Sequence, residues 1–140
     1  MFDDIFSKDV STGDIFQQQF TSLSDNVLKG FNSTVFAYGM TGAGKTYTMF
    51  GDIYNRKEGT HNPGIILISV KDLLDKIKDS EQKDRVFKVK FSFLEIYNEQ
   101  VRDLLGEENT ESLLIVEDQE KGVIVPDLTE RSITSADQIL

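Results

Sequence analysis

Gly39, Gly44, Lys45 and Thr46 lie within the stretch FAYGMTGAGKTYTMFG, residues 36–51, at the spacing G-x-x-x-x-G-K-T. That spacing suits the binding of phosphate. Glycines let the backbone curl so that successive N–H groups converge on phosphate oxygens, and a helix opening just after the loop adds its positive end. Lys45 would reach the β- and γ-phosphates as a point charge, and the Thr46 hydroxyl would offer a hard oxygen to Mg²⁺. The candidate binding set is Gly39, Met40, Thr41, Gly42, Ala43, Gly44, Lys45 and Thr46, with Thr46 as the metal-facing residue. At ordinary residue usage a chance match arises about 0.005 times in a chain of this length.

Such a loop needs a strand before it and a helix after it. STVFAY, Ser33 to Tyr38, is a short run of strand formers with almost nothing polar, which predicts a strand buried on both faces. KTYTMF reads as the start of the helix. Gly51 to Gly64 is turn-rich, and Ile66, Val70, Leu73, Leu74 and Ile77 then resume a helical stripe, so a loop interrupts the helix. Upstream, Phe16, Phe20, Leu23 and Val27 recur at helical spacing, predicting one amphipathic helix from Asp14 to Lys29 with Gly30 as its C-cap. Downstream, RVFKVKFSFLEIY from Arg85 to Tyr97 alternates like a half-buried strand. NEQVRDLLG is read as about two helical turns. SLLIVEDQEKGVIVPDL is read as two strands joined by a polar turn at Gln119 to Gly122. The order of elements predicts an α/β layer fold.

The 140 residues suit one domain, and 39% hydrophobic content suits an ordinary soluble globular protein. No apolar run approaches the length of a membrane span, and no basic-then-apolar leader opens the chain, so a cytoplasmic protein without a membrane partner is expected. With no cysteine, disulfides, thiolate metal sites and cysteine nucleophiles are excluded. The one histidine, His61, sits in a polar Pro/Gly-containing stretch and reads as a loop residue rather than a ligand. A net charge of -9 argues against a nucleic-acid partner.

Other acidic residues invite catalytic readings. Glu95, Glu99 and Asp103 in EIYNEQVRDLL are better read as structural, Glu99 and Asp103 lying on the solvent face of the expected short helix. Asp118 closes LLIVED, which mimics the apolar strand plus acid that positions Mg²⁺ in other phosphate-loop enzymes. TSADQIL offers Ser135 as an N-cap with Gln138 three residues on, a helix start without a body, which suggests that the sequence continues past Leu140.

Three longer phrases carry a resemblance: NSTVFAYGMTGAGKTYTMFGD, then FLEIYNEQVRDLL, then GVIVPDLTE, with FDDIF ahead of the first helix. Together they resemble the motor domain of kinesins, microtubule-based ATPases, from Phe2 to Leu140. The resemblance implies a P-loop NTPase fold with helices flanking a central mixed sheet, incomplete here, in which residues 1–140 are part of one motor domain. It places the phosphate loop at 39–46, a variable loop at 51–63 and a distal strand and hairpin region at 85–131. It implies ATP and Mg²⁺ as ligands, Tyr47 beside the adenine, and microtubules as the partner. It assigns Asp118 to the hairpin, and it lets Lys88, Lys90 and Lys121 meet acidic tubulin, a reading that stands beside that of plain solvated lysines.

The family's two switch patterns, N-x-x-S-S-R-S-H and D-x-A-G-x-E, do not occur in the 140 residues. The resemblance therefore assigns no catalytic residue to this stretch and implies negligible ATP turnover by it alone, although an intact motor would be an ATPase on the microtubule cytoskeleton. With neighbouring strands missing, the sheet would expose apolar surface and open edges. Two alternatives stay open. One is a short, non-catalytic nucleotide- or tubulin-binding module, and the other is a different phosphate-loop kinase or ATPase that uses Asp118 for Mg²⁺.

Overall fold

The computed structural model describes residues 2–52, 62–79, 85–107 and 112–139; His61 and most of the 51–63 segment lie outside them. The chain divides into two units, Met1–Arg85 with Ser135–Leu140, and Val86–Thr134.

The first unit is helical. Ser11 caps helix α1 (Thr12–Gln19): its hydroxyl accepts from Asp14 N–H at 3.1 Å while the Asp14 carboxylate accepts from Ser11 N–H at 3.3 Å. This reciprocal capping box satisfies two amide donors that a helix start leaves orphaned. The single helix expected from Asp14 to Lys29 is in fact two, because the backbone swings out of helical geometry at Phe20 (φ -121°) and helix α2 (Thr21–Leu28) starts anew. Lys76 holds the turned chain, donating to the Thr21 carbonyl at 2.9 Å. Gly30 ends α2 as expected. Its φ of 94° is left-handed, and Gly30 N–H to Val27 O (2.9 Å) with Phe31 N–H to Asn26 O (3.0 Å) close a Schellman motif. Val27, expected on the apolar stripe, is exposed.

Helix α3 (Lys45–Phe50) follows the glycine-rich loop, and helix α4 (Ile65–Asp79) resumes after the interruption, as the stripe predicts. The join is tight: Gly51 bridges Pro63 in antiparallel fashion, and Asp52 N–H donates to Asn62 O at 3.1 Å. A methyl group on Gly64 would overlap the Met49 carbonyl, so only glycine fits there. Helix α4 is the centre of the unit, packing against α1, α2, α3 and a 3-10 turn at Ala136–Ile139. Phe16, Ile65 and Leu74 are buried at its core, each worth about 2 kcal/mol of apolar transfer. On the α2 side Lys76 pairs with Asp25 at 2.8 Å and with Asp72 at 3.1 Å. Burial works to lower the Lys76 pKa, and the hydrogen bonds to Asp25 and Asp72 outweigh it and raise the value. The TSADQIL start signal is realised as the 3-10 turn, with Ser135 N–H donating to Gln138 Oε1 at 3.1 Å.

Ser33–Tyr38 does not form the expected buried strand. It pairs with no neighbour among the described residues, and Phe36 and Tyr38 are 79% and 96% exposed. Sheet residues need a partner for their N–H and C=O groups, and none of the described residues supplies one here.

Among its described residues, the second unit holds three two-stranded antiparallel sheets. Strand β1 (Lys90–Phe91) pairs with β6 (Arg131–Ser132), β2 (Leu94–Tyr97) with β3 (Gln100–Asp103), and β4 (Val116–Asp118) with β5 (Gly122–Ile124). The expected strand from Arg85 to Tyr97 is thus shorter and divided between two sheets. The helix expected over NEQVRDLL is instead the return strand of a hairpin. Tyr97 opposes Gln100, and Asn98 and Glu99 make the two-residue turn with φ of 48° and 60°, the left-handed pair of a type I′ turn. The β4–β5 hairpin matches its reading, with Asp118 opposite Gly122. Among the described residues of this unit, Val101 and Ile133 are the buried apolar ones.

Candidate functional site

The loop from Gly39 to Thr46 is held by few internal bonds. Gly42 and Gly44 have φ of 83° and 90°, where a Cβ would be strained, and Ala43 N–H donates to Met40 O at 3.1 Å to close a turn. Gly44 precedes α3, and Thr48 N–H reaches back to its carbonyl at 2.9 Å. Among the described residues, the main-chain N–H groups of Gly42, Gly44, Lys45 and Thr46 donate to no acceptor. These donors stand in sequence at a glycine-permitted curl, which is what anion binding requires.

Lys45 is the cation of the loop and is folded over it. Its Nζ donates to Gly39 O at 2.7 Å and to Met40 O at 3.0 Å, so the ammonium group spans the start of the cradle. An ammonium group has three donors, and two are used here, leaving one for an incoming oxygen. Thr46 is exposed beside it, with a hydroxyl free to face solvent. Among the described residues no group of three or more His, Asp or Glu side chains could hold a metal ion. A Mg²⁺ ion at this loop would therefore take Thr46 and otherwise phosphate and water oxygens, the kind of shell Mg²⁺ commonly keeps. Met40 and Thr41 form the exposed tip.

Tyr47, in the first turn of α3, is half-exposed, and its hydroxyl accepts from Asn62 Nδ2 at 2.6 Å. Asn62 was not among the residues singled out from sequence. Its partner is 15 positions away, and nothing in its neighbourhood except the Pro-Gly that follows marks it. A separate cavity of about 570 Å³ lies between α1, α4 and the 3-10 turn, lined by Gln17, Leu67, Ile68 and Lys71 among others, and takes in no residue of the phosphate loop.

The acidic residues of the second unit are engaged structurally. Glu95 faces Arg102 across the β2–β3 hairpin at 3.9 Å, and Glu99 is in the turn, so no helical Glu99/Asp103 face exists. Asp103 accepts from Leu105 N–H (2.9 Å), Gly106 N–H (3.1 Å) and Thr129 N–H (2.8 Å). Hydrogen bonding from the Thr129 side chain is the largest influence on its pKa and, together with these amides, holds it below the ordinary value against the opposing effect of desolvation. Asp118 accepts from Lys121 N–H (2.8 Å) and Glu120 N–H (2.9 Å), which lower its pKa and fix the β4–β5 turn. Lys90 pairs with Glu130 at 2.6 Å.

A glycine-rich loop ahead of a helix, on a chain of mixed helices and antiparallel strands, is the arrangement of an α/β protein of the phosphate-loop kind. The kinesin motor domain profile matches residues 1–140. Kinesin-like protein KIF18B of Mus musculus is 41% identical over 140 residues, covering 100% of this chain and 16% of its own length. Kinesin-related protein 4 of Dictyostelium discoideum is 42% identical over 142 residues, covering 99% of this chain and 7% of its own. The solved structure of a fast kinesin, described for its ATPase mechanism and interactions with microtubules, superposes with a TM-score of 0.87 at 36% identity, over 99% of this chain and 38% of that one. The chain belongs to the kinesin motor family, and its fold is that of part of a kinesin motor domain. It spans well under half the length of each of these relatives.

Proposed function

We propose that residues 1–140 are part of an ATP-dependent microtubule motor domain and that Gly39 to Thr46 bind the phosphates of Mg-ATP. The observation that carries this reading is the loop itself: N–H groups at and just after the glycine-permitted curl of Gly42 and Gly44 that donate to no acceptor among the described residues, with the Lys45 ammonium held on the Gly39 and Met40 carbonyls at the start of the same loop. Family membership supports microtubules as the partner and the cytoplasmic microtubule cytoskeleton as the place of action. Lys45 neutralises phosphate charge, the loop amides orient the phosphate oxygens, and Thr46 holds the metal. Bound Mg²⁺ would supply further charge neutralisation at the β- and γ-phosphates. Tyr47 borders the base. Hydrolysis also requires a positioned water and a group that senses the γ-phosphate, and neither switch pattern is in these residues, so they hold nucleotide and turn it over negligibly by themselves.

The test is equilibrium titration of the full chain with a fluorescent ATP analogue in Mg²⁺ buffer. Lys45→Ala removes charge-assisted hydrogen bonds worth about 1.5–3 kcal/mol, so Kd rises about tenfold to a hundredfold. Unchanged affinity refutes the role of Lys45. Co-pelleting with microtubules in the presence and absence of nucleotide tests the partner, and nucleotide-independent binding points to a tubulin-binding module without coupling.

A further inference from the structure

Asn62 and Tyr47 are joined through two different routes. The side-chain route is the 2.6 Å hydrogen bond from Asn62 Nδ2 to the Tyr47 hydroxyl. The main-chain route runs from the Tyr47 carbonyl, which accepts from Gly51 N–H at 2.8 Å, through the Gly51–Pro63 bridge and the bond from Asp52 N–H to Asn62 O. Gly51, with φ of 77°, fits only because it has no Cβ, since a methyl there would run into the Asn62 carbonyl. Asn62 is therefore anchored by its backbone to the C-terminal end of the same helix whose N-terminal turn carries Tyr47. Its amide is not a chance surface contact but one side of a closed ring. A half-exposed tyrosine has two free torsions, and a fixed donor on its hydroxyl removes most of that freedom.

From this we infer that Asn62 is a positioning residue for the nucleotide base: it pre-orients the Tyr47 ring so that the base meets a fixed aromatic edge beside the phosphate loop. The inference rests on the reading of Gly39 to Thr46 as a nucleotide site and of Tyr47 as the residue that borders the base. The part of the site that binds phosphate does not need Asn62, whereas the part that meets the base does. Ligands with and without a base therefore respond differently to its removal.

The experiment compares Kd values of the full chain for ATP and for inorganic tripolyphosphate, which has no base, in wild type, Asn62→Ala, Tyr47→Phe and the double variant. Loss of one ordering hydrogen bond should lower the ratio of ATP to tripolyphosphate affinity about threefold to tenfold in Asn62→Ala. Tyr47→Phe should lower it to the same extent, and the double variant no further, because each change breaks the same bond. A structural role alone would weaken both ligands together and leave the ratio in place. An unchanged ratio in Asn62→Ala, additive effects in the double variant, or a wild type that binds both probes equally overturns the inference while the phosphate loop stands. A wild type that binds neither probe overturns both.

Discussion

Replacing Asp103 separates a structural carboxylate from a catalytic one. Three main-chain donors, at 2.8, 2.9 and 3.1 Å, converge on its two oxygens, tying the end of β3 to Leu105–Gly106 and to Thr129. A hydrogen bond to a charged acceptor is worth about 1.5–3 kcal/mol when shielded, but Asp103 is only partly covered, and competition from water brings each to about 1 kcal/mol. Asp103→Ala should then destabilise the second unit by about 3 kcal/mol, which for a urea m-value of about 1.5 kcal/mol/M lowers the unfolding midpoint by about 2 M. Asp103→Asn keeps one acceptor and should lose about half as much. Hydrogen exchange locates the effect: the amides of Leu105, Gly106 and Thr129 lose protection first. The sign with pH follows from the depressed pKa. Because the folded value lies below the unfolded one, the stabilisation is full above the unfolded value and is lost as pH falls through the folded one. The gap between wild type and Asp103→Asn should accordingly be constant near neutrality and narrow from about pH 5 downward. If Asp103→Ala unfolds at the wild-type urea concentration with its three amides still protected, the structural account is wrong.

Two further substitutions follow from backbone geometry. Gly64→Ala forces a methyl into the Met49 carbonyl, with main chain on both sides and no flexible side chain to yield, so a loss of about 2 kcal/mol and a fall in Tm of about 10 °C are expected in calorimetry. A variant that melts with wild type would show that the α3–α4 join is looser than drawn. Glu99→Gly relieves a left-handed glutamate in the β2–β3 turn and should gain about 0.5 kcal/mol after the entropic cost of glycine, with slower exchange at Gln100; a destabilised hairpin would rule out the type I′ assignment.

The loop proposed to bind phosphate is carried by consecutive residues, so the spacing of Gly39, Gly44, Lys45 and Thr46 can be read whatever surrounds them. Helix α4 was legible for a similar reason: fifteen residues with one periodicity leave little choice. NEQVRDLL misled because Val101, Leu104 and Leu105 fall at the helical spacing i, i+3, i+4 although the two leucines lie beyond the end of β3, and the turn that sets the hairpin uses Asn98-Glu99 without the glycine that usually announces it. The break at Phe20 left no trace in the stripe, since the rings of Phe16 and Phe20 still meet in a tilted contact, with centroids 6.4 Å apart, where the backbone departs from the helix.

Ser33–Tyr38 and Asn62 are the more instructive pair. The first has a strand's composition and no strand among the described residues, because composition states what a segment can join and pairing depends on what is there to join it. The second has no distinguishing composition, yet it completes a ring through Tyr47 that depends on Gly51 and Pro63 being in contact. Both turn on relations between segments rather than on residues within one. On the proposed function, phosphate affinity belongs to one segment and should survive changes to the interrupted region, whereas base selectivity, inferred to depend on two segments, should not. This is the same division that ATP and tripolyphosphate measure, and it makes selectivity the property in which motors with differently ended interruptions would diverge first.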